Sequence, residues 1–260
     1  MLISGMGLSF TTAVSSEFTP ANLGDTLLAW YQYNTGQTNL SGTDGNADNE
    51  MKWEDQSGGS RHATQREDSK KPTFTDGGLD FEDDTSSTSD HMSIATGDGA
   101  LDFGFDAGTP ANGTCTIILA VKREDVSAND RVLGSTGTEF FSFAGTTTIQ
   151  TRATGAQSSN IFSSGTFPSA TKFVLTYTKD GSGNQLIYKN DGSALTPDSQ
   201  SGDNPLVGTD LDITILGSMN TGNTASAFDG IIYEVVICDT VLSDSDRVNT
   251  VQDIMSRVGI

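Results

Sequence analysis

Short apolar segments separated by glycine-rich turns recur along this 260-residue chain, and they constrain its fold strongly. The clearest pair is K-F-V-L-T-Y-T-K at 172–179 and Q-L-I-Y-K-N at 185–190, joined by D-G-S-G-N. Glycines in such a connection supply the positive φ angles that a tight hairpin needs. With 29 glycines between runs of this type, the sequence predicts an all-β domain.

Further segments of the same kind predict roughly ten to fourteen short strands in one domain. T-C-T-I-I-L-A-V-K at 114–122 is apolar on both faces, which is typical of a central strand covered on both sides. The other predicted strands are 27–33, 91–95, 139–144, 147–151, 212–216 and 231–238, together with a strand that contains Leu79 and Phe81 and follows a glycine turn within 73–84.

The C-terminus changes from a strand pattern to a helical one. Ser243 is a good N-cap, and the aspartates that follow it suit the positive end of a helix dipole. Apolar residues then recur at helical spacing, which predicts a helix of about three turns that ends at Gly259. The predicted apolar stripe consists of Val248, Val251, Met255 and Val258.

The net negative charge of the chain argues against several functions. The chain has 14 basic and 34 acidic residues, a formal net charge of −20. Nucleic-acid binding needs a basic surface, and an anionic membrane repels such a chain, so neither is an expected partner. The sequence contains no apolar run of about 20 residues, the length that a membrane-spanning helix needs, so no such helix is predicted. The negative charge makes cations plausible ligands.

The N-terminal segment, residues 1–24, is mildly apolar and lacks the basic region of a secretory signal. We interpret it as an arm or a first strand that precedes a domain at 25–260. Two cysteines, Cys115 and Cys238, lie in apolar runs. They are either two buried free thiols or one bridge between neighbouring strands, and spacing does not decide between these.

Several segments in a fixed order resemble a known family. They are L-L-A-W-Y-Q-Y, W-E-D-Q-S-G-G-S-R-H-A-T-Q, K-P-T-F, G-G-L-D-F-E-D-D, T-C-T-I-I-L-A-V-K, the 172–190 hairpin and F-D-G-I-I-Y-E-V-V-I-C-D. This order resembles the concanavalin A-like, laminin-G-type (LamG) jelly roll, as found in bacteriophage virion proteins and bacterial surface proteins. The resemblance implies an antiparallel two-sheet jelly-roll sandwich with a short C-terminal helix, and ligands on the concave face or the loop rim.

The stretch from Trp53 to Gln65 has three interpretations: a catalytic loop, a metal loop or a structural corner. The resemblance favours the corner, with Trp53 at the edge of the core. An aspartate before a Ser-Gly turn commonly accepts hydrogen bonds from the turn's own backbone, which is the role expected of Asp55.

A calcium site is the main chemical alternative. Asp44, Asn46, Asp48 and Glu50 place oxygen-bearing side chains at alternate positions, and Asp55 is twelfth from Asp44, as in part of an EF-hand loop. The pattern lacks the glycine at the sixth position, the final glutamate and flanking helices. This segment is therefore either a solvated acidic loop or a calcium site. The candidate calcium ligands are Asp44, Asn46, Asp48 and Asp55.

Catalytic motifs are missing from the sequence, and the chain is predicted not to be an enzyme. It has no E-x-D-x-E strand of the kind that glycosidases of this fold carry, no G-x-S-x-G nucleophile elbow and no phosphate-binding loop. Asp80, Glu82 and Asp84 share one strand face, and we interpret them as an exposed face opposite Phe81 in preference to a catalytic set. His91 is expected at the surface beside a strand.

Two functions remain. The first is a bacteriophage virion structural protein, such as a capsid decoration, collar or fibre component, located on the virion surface and contacting capsid or tail proteins. Its docking element is the N-terminal arm, with apolar contacts from Leu2, Ile3, Met6, Leu8 and Phe10; an edge strand of the same domain is the alternative role for this segment. A homo-oligomer is compatible with this function.

The second function is a calcium-dependent, lectin-like module that binds carbohydrate, such as host-surface glycans, and is extracellular. Sugar binding uses one or two aromatic platforms together with hydrogen-bonding groups. The available aromatic residues are Trp30, Tyr31, Tyr33, Trp53, Tyr177, Tyr188 and Tyr233, and the sequence does not assign a glycan-binding residue among them.

Overall fold

The structure is a computed structural model in which the described residues form a two-sheet β-sandwich with one C-terminal helix. It describes residues 18–38, 50–83, 89–94, 105–106, 109–110, 114–126, 128–135, 140–152, 160–162, 166–182, 184–190, 194–195, 213–218 and 227–260. Short 3-10 turns occupy Pro20–Thr26 and Asp68–Lys70, and the helix α1 spans Asp244–Val258.

The strands of the described residues are short, and most have fewer than six residues. In chain order they are β1 Leu27–Tyr31, β2 Gln37–Thr38, β3 Met51–Trp53, β4 Ala63–Gln65, β5 Thr73–Thr75, β6 Gly78–Phe81, β7 Met92–Ile94, β8 Phe105–Asp106, β9 Thr109–Pro110, β10 Cys115–Arg123, β11 Ala128–Gly134, β12 Phe140–Ala144, β13 Thr148–Arg152, β14 Asn160–Phe162, β15 Lys172–Lys179, β16 Gln185–Lys189, β17 Ala194–Leu195, β18 Ile215–Leu216 and β19 Gly230–Cys238.

Two large antiparallel sheets contain most of these strands. An eight-stranded sheet has the order β17-β16-β15-β10-β19-β6-β5, with β1 also paired to β19. A nine-stranded sheet has the order β14-β13-β12-β11-β18-β7-β4-β3-β2. The predicted hairpin is present, since Lys179 pairs with Gln185. The structure therefore confirms the predicted all-β jelly-roll sandwich with a C-terminal helix.

The central strand β10 is apolar on both faces because it faces two separate cores. Ile117 and Leu119 belong to the core between the two sheets. Ile118 and Ala120, on the opposite face, belong to a second core beneath α1. Side chains alternate across a strand, so an uninterrupted apolar run fills both cores. The outer face of the eight-stranded sheet is thus covered by α1, whereas α1 does not cover the nine-stranded sheet.

Helix α1 begins and ends where the sequence predicts, and its 15 residues form about four turns, one more than predicted. The Ser243 hydroxyl accepts a 3.1 Å bond from the Asp246 amide, and Gly259 takes the left-handed conformation that a helix C-cap favours. The buried side is rotated from the predicted stripe: Val251, Ile254 and Val258 are buried, and Val248 is only partly buried. Thr250 and Arg247 fill the rest of this side, which hydrophobicity alone does not indicate.

A buried ion pair links the two sheets. Arg123 ends β10 and Asp130 lies on β11, and both side chains are at most 1% exposed. The Arg123 Nε donates to Asp130 Oδ2 at 3.0 Å, and its Nη1 donates to the carbonyl oxygen of Gly145 at 2.6 Å. The Nη1 also donates to the carbonyl oxygen of Phe167 at 2.9 Å, and the guanidinium carbon lies 4.8 Å from the centre of the Phe143 ring.

The two cysteines form no disulfide bond with each other, which decides between the two alternatives left by the sequence. Thr116, not Cys115, is the register partner of Cys238. The strands are adjacent, but the one-residue offset places the thiols on opposite faces of the sheet. Cys115 lies in the core between the sheets, and Cys238 lies in the core beneath α1.

Burial makes both thiols unreactive in the native protein, and it raises the pKa of Cys238 to about 12. We expect an aromatic disulfide reagent to modify less than about 10% of the thiols in the folded chain. After denaturation in guanidinium, both thiols should react within minutes. Rapid native modification of Cys238 would contradict the packing of α1 on the sheet. A Cys115→Ala variant assigns any native signal to one thiol.

In the part of the chain that the structure describes, no helix has both the length and the apolar character that crossing a membrane requires.

Candidate functional site

Asp55 lies at a structural corner between the two sheets. Its Oδ1 accepts hydrogen bonds from the backbone amides of Trp30 and Ser57, each at 2.9 Å. Its Oδ2 accepts from the Ser57 hydroxyl at 2.8 Å and from the Arg61 amide at 3.0 Å. The carboxylate therefore joins β1 to the turn that follows β3. The Trp53 side chain beside it is fully buried.

The calcium prediction concerns residues that the structure describes only in part. Asp55 is the member of the set that it describes, and Asp44, Asn46 and Asp48 lie outside the described residues. Within the described ranges, no group of three or more His, Cys, Asp or Glu side chains is arranged to hold a metal ion. Calcium binding through Asp44, Asn46, Asp48 and Asp55 stays a prediction.

The predicted docking arm also lies outside the described residues. Leu2, Ile3, Met6, Leu8 and Phe10 all fall within residues 1–17. The virion role, its capsid or tail partners, the virion-surface location and the division at residues 24 and 25 stay predictions.

A row of polar side chains crosses the outer face of the nine-stranded sheet. Lys52 on β3 pairs with Thr64 on β4, and Thr64 pairs with Ser93 on β7. Each is the middle residue of a three-residue strand whose flanking residues are buried, so each points away from the core. This register brings together three side chains that are 12 and 29 residues apart in the sequence.

The polar row lies in an open depression of about 660 Å³, a size typical of sites for small ligands. Residues at the strand ends complete its lining: Glu50 precedes β3, His62 precedes β4, Gln65 ends β4, and Arg66 and Glu67 follow it. We call this depression the outer-face pocket. Its lining combines hydroxyl, imidazole, carboxylate and cationic groups, which suits a ligand with many hydrogen-bonding atoms.

Charges at the outer-face pocket are balanced by ion pairs. The Arg66 Nε lies 2.8 Å from the Glu50 carboxylate, and the Lys52 Nζ lies 2.8 Å from Glu54. Glu67 pairs with Lys70, which holds the pKa of the Glu67 carboxyl below its usual value. The hydrogen bond from Lys52 lowers the pKa of Glu54 in the same way.

The imidazole of His62 has a fixed orientation. The backbone amide of Asp55 donates to His62 Nδ1 at 3.1 Å, so this ring nitrogen acts as an acceptor. Because a ring nitrogen that accepts a hydrogen bond carries no proton, this bond places the ring hydrogen on Nε2. His62 is therefore a hydrogen-bond donor in the lining of the outer-face pocket.

Aromatic platforms are not found among the described lining residues of this pocket. Of the aromatic residues that the sequence makes available, Trp30, Tyr31, Trp53, Tyr177 and Tyr233 are buried. Tyr188 is covered by the Arg247 guanidinium at 3.8 Å, and Tyr33 packs on Tyr233. These rings are core and packing residues. The outer-face pocket therefore depends on polar contacts among the residues described.

His91 is buried, whereas the sequence predicts a surface position. The residue is 6% exposed, and its backbone carbonyl oxygen accepts a 2.8 Å hydrogen bond from Gln65 Nε2. Desolvation lowers the pKa of the imidazole. Gln65 faces inward beneath the outer-face pocket, and its Oε1 accepts from the amides of Arg66 and Glu67. This bonding shapes the segment after β4, which contributes to the lining.

A buried carboxylate on the opposite side of the sandwich has a structural role. Glu234 on β19 is fully buried and accepts a 2.7 Å bond from the indole of Trp30. Arg257 of α1 donates to the same oxygen at 2.6 Å. Burial raises the pKa of Glu234, and Arg257 opposes this effect. The carboxylate joins β1, β19 and α1.

Two partly exposed carboxyl groups have raised pKa values. Burial and the charges of Glu124 and Glu82 raise the pKa of Asp80 to about 6. Burial and the charge of Asp125, with those of Glu82, Glu124 and Asp130, raise the pKa of Asp229 to about 6. Lys122 opposes the shift at Asp80. Asp84, the third member of the predicted same-face set, lies outside the described residues.

These two shifts predict that Asp80 and Asp229 contribute stability as the solution is acidified. Between the unfolded pKa near 3.8 and about 6, each of the two carboxyl groups binds more protons in the folded chain than in the unfolded chain, so its contribution rises as pH falls through 6. We expect about 1 kcal/mol from each partly exposed group on going from pH 7 to pH 5. Urea unfolding of the wild type and of an Asp80→Asn/Asp229→Asn variant measures this contribution.

The Asp80→Asn/Asp229→Asn variant also controls for other groups that titrate in the same pH range. His91 titrates with the opposite sign, because its lowered pKa costs stability as pH falls. Both proteins contain His91, so the difference between their two pH dependences isolates the aspartates. Identical pH dependences in the two proteins would contradict the prediction.

Comparison with known proteins gives matches at the level of structure. A scan against family models finds no match, and no curated protein matches by sequence. Trypanosoma rangeli sialidase in complex with sialic acid aligns with a TM-score of 0.55 and 14% identity, over 89% of this chain and 33% of the sialidase. The same enzyme with a difluoro-KDN ligand gives 0.54 and 13% over the same shares.

A sialidase module from Ruminococcus gnavus, the IT-sialidase CBM40 bound to alpha2,3 sialyllactose, gives a TM-score of 0.39 at 16% identity, over 52% of this chain and 80% of the module. The T. rangeli alignments show that this chain has the β-sandwich fold found in those structures, consistent with the concanavalin A-like jelly roll. The chain spans a third of the sialidase chains in length.

This comparison overturns the prediction that the chain is not an enzyme. The similar solved structures are those of sialidases, which are enzymes. The missing E-x-D-x-E pattern thus excludes one arrangement of glycosidase carboxylates, and it does not exclude enzymatic activity. The prediction took the absence of known catalytic motifs as evidence that the chain has no catalytic activity, and that inference was wrong.

Proposed function

We propose that this chain binds carbohydrate at the outer-face pocket of its nine-stranded sheet. The observation that carries the proposal is the polar row of Lys52, Thr64 and Ser93, which the strand register places in a depression of about 660 Å³. Sugars present hydroxyl groups that both donate and accept, and a row of hydroxyl and charged side chains on a rigid sheet offers matching partners.

The fold supports the same ligand class. The T. rangeli sialidase that shares it was solved with sialic acid, a sugar. The pocket lies on the sheet face that α1 leaves uncovered, so a ligand can approach without displacing the helix. We further propose that carbohydrate binding requires calcium, held by Asp44, Asn46, Asp48 and Asp55.

Binding is tested by a glycan array followed by calorimetry with the strongest ligand. Thr64→Val keeps the shape of the side chain and removes its hydroxyl, so we expect about fivefold weaker binding, because a neutral hydrogen bond contributes about 1 kcal/mol. Thr148→Val is the matched control. It lies on the outward side of β13, and five strand spacings, about 24 Å, separate β13 from β4.

Three outcomes count against parts of the proposal. If no glycan binds the wild type in either calcium or chelator, carbohydrate binding is rejected. If binding survives chelation unchanged, the calcium requirement is rejected and the outer-face pocket stands. Equal losses in Thr64→Val and Thr148→Val would show that the ligand does not bind at the polar row.

A further inference from the structure

The cationic groups of the outer-face pocket are already engaged with carboxylates. Arg66 pairs with Glu50 through its Nε, and Lys52 pairs with Glu54. Among the carboxylate, lysine and arginine residues of the lining, the charges of Glu50 and Glu67 cancel those of Lys52 and Arg66. The pocket therefore offers no excess positive charge to a ligand.

An acidic sugar would meet an electrostatic cost at this site. Its carboxylate would have to compete with Glu50 or Glu54 for a cation, and it would lie close to Glu67. The chain as a whole carries a net charge of −20, which adds long-range repulsion of anions. An uncharged sugar avoids both costs and still matches the hydroxyl groups of Thr64 and Ser93.

His62 supplies one directional contact for such a ligand. The Asp55 amide fixes its Nδ1 as an acceptor, and Asp55 is itself held by four hydrogen bonds through its carboxylate. The ring is thus anchored to a rigid corner of the fold. Its Nε2–H is a neutral donor, which suits a hydroxyl, ring or carbonyl oxygen of a sugar.

We propose that the outer-face pocket takes an uncharged saccharide, and that the His62 Nε2–H donates a hydrogen bond to one of its oxygens. The proposal rests on the carbohydrate-binding function proposed above and specifies its ligand class. His62 orients the sugar through this hydrogen bond, and the carboxylates at and beside the pocket, Glu50, Glu54 and Glu67, disfavour an acidic ligand.

The ligand class is tested with an array that carries matched pairs, such as lactose and sialyllactose, in which the two members differ by one acidic sugar. The expected result is binding of uncharged members, with their acidic partners at least about tenfold weaker, since a like-charge contact opposes the added carboxylate. Equal or tighter binding of the acidic members overturns this inference and leaves carbohydrate binding intact. An array with no binding at all rejects carbohydrate binding itself.

The role of His62 is tested with two variants that each keep one ring function. In His62→Asn the amide oxygen stands near the position of Nδ1 and still accepts from Asp55, but no donor replaces Nε2. We expect about fivefold weaker binding of the best uncharged ligand and an unchanged melting temperature. In His62→Gln the amide nitrogen replaces Nε2 as a donor, so we expect binding closer to wild type with a lower melting temperature.

A measurement on the free protein tests the tautomer without any ligand. The chain has two histidines, and the His62→Asn variant identifies the His62 signals in nitrogen-detected NMR spectra of the ring. At about pH 8 we expect the proton of His62 on Nε2. A proton on Nδ1, or wild-type affinity in His62→Asn, would overturn the role of this residue.

Discussion

Replacing Arg123 with methionine is expected to lower the free energy of unfolding by about 3–5 kcal/mol, because it leaves the Asp130 charge buried without its cation. Arg123 is fully buried and Asp130 is 1% exposed. The carbonyl oxygens of Gly145 and Phe167 also lose their guanidinium donor. Urea denaturation followed by tryptophan fluorescence measures the loss, since Trp30 and Trp53 lie in the two cores.

The neighbouring residue provides a matched control. Lys122 precedes Arg123 on β10, and its ion pair with Glu124 is partly exposed, at 28% and 39%. The same substitution, Lys122→Met, should cost at most about 1 kcal/mol, because exposed ion pairs contribute little. Equal costs for Arg123→Met and Lys122→Met would contradict the assignment of Arg123 as a link between the sheets.

A double variant separates the charge from the packing. Arg123→Met/Asp130→Leu removes both charges, and replacing a buried ion pair by apolar residues is often nearly neutral. We expect it to recover about half or more of the stability lost in Arg123→Met. The carbonyl oxygens of Gly145 and Phe167 lack their guanidinium donor in both proteins, so full recovery is not expected.

Replacing Asp55 with alanine should lower the free energy of unfolding by about 3–4 kcal/mol, because four accepted hydrogen bonds are lost and the backbone amides of Trp30 and Ser57 lose their acceptor. Asp55→Asn should cost less, about 1–2 kcal/mol, since its amide oxygen still accepts from two of the donors. An exposed aspartate gives the control: Asp25→Ala should change stability by less than about 0.5 kcal/mol.

The same variant distinguishes the corner role from the predicted calcium role. If Asp55 acts only through the hydrogen bonds described, the loss in Asp55→Ala is the same in calcium and in chelator. If Asp55 is a calcium ligand, wild type gains stability in calcium and Asp55→Ala does not. His62 accepts from the Asp55 backbone amide, which alanine retains, so a change in glycan binding would report a shift of the corner itself.

The sequence identified the hairpin at 172–190, the central strand at 114–122 and the ends of α1 because these features depend on local chemistry. Turn glycines, long apolar runs and capping residues act over a few residues, and the structure confirms each of them. The role expected of Asp55 has the same origin, since the aspartate and the Ser57 amide that it accepts from are two residues apart.

The outer-face pocket could not be located in this way. Its three central residues come from strands of three residues each, and the face that so short a strand presents depends on its pairing register. The signal in the sequence was the alternation in M-K-W, A-T-Q and M-S-I, which is too short to stand out from chance. His91 was misplaced for a related reason, because its burial depends on the distant Lys70 and Gln65.

The amino-acid sequence by itself determined the fold class, the long strands and the helix, since local propensities and side-chain alternation are encoded residue by residue. Only the tertiary structure decided that Cys115 and Cys238 face different cores, that Arg123 joins the sheets and that Lys52, Thr64 and Ser93 form one row. Each of these depends on which strands become neighbours, a choice made by the packing of the whole sandwich and not by any short segment.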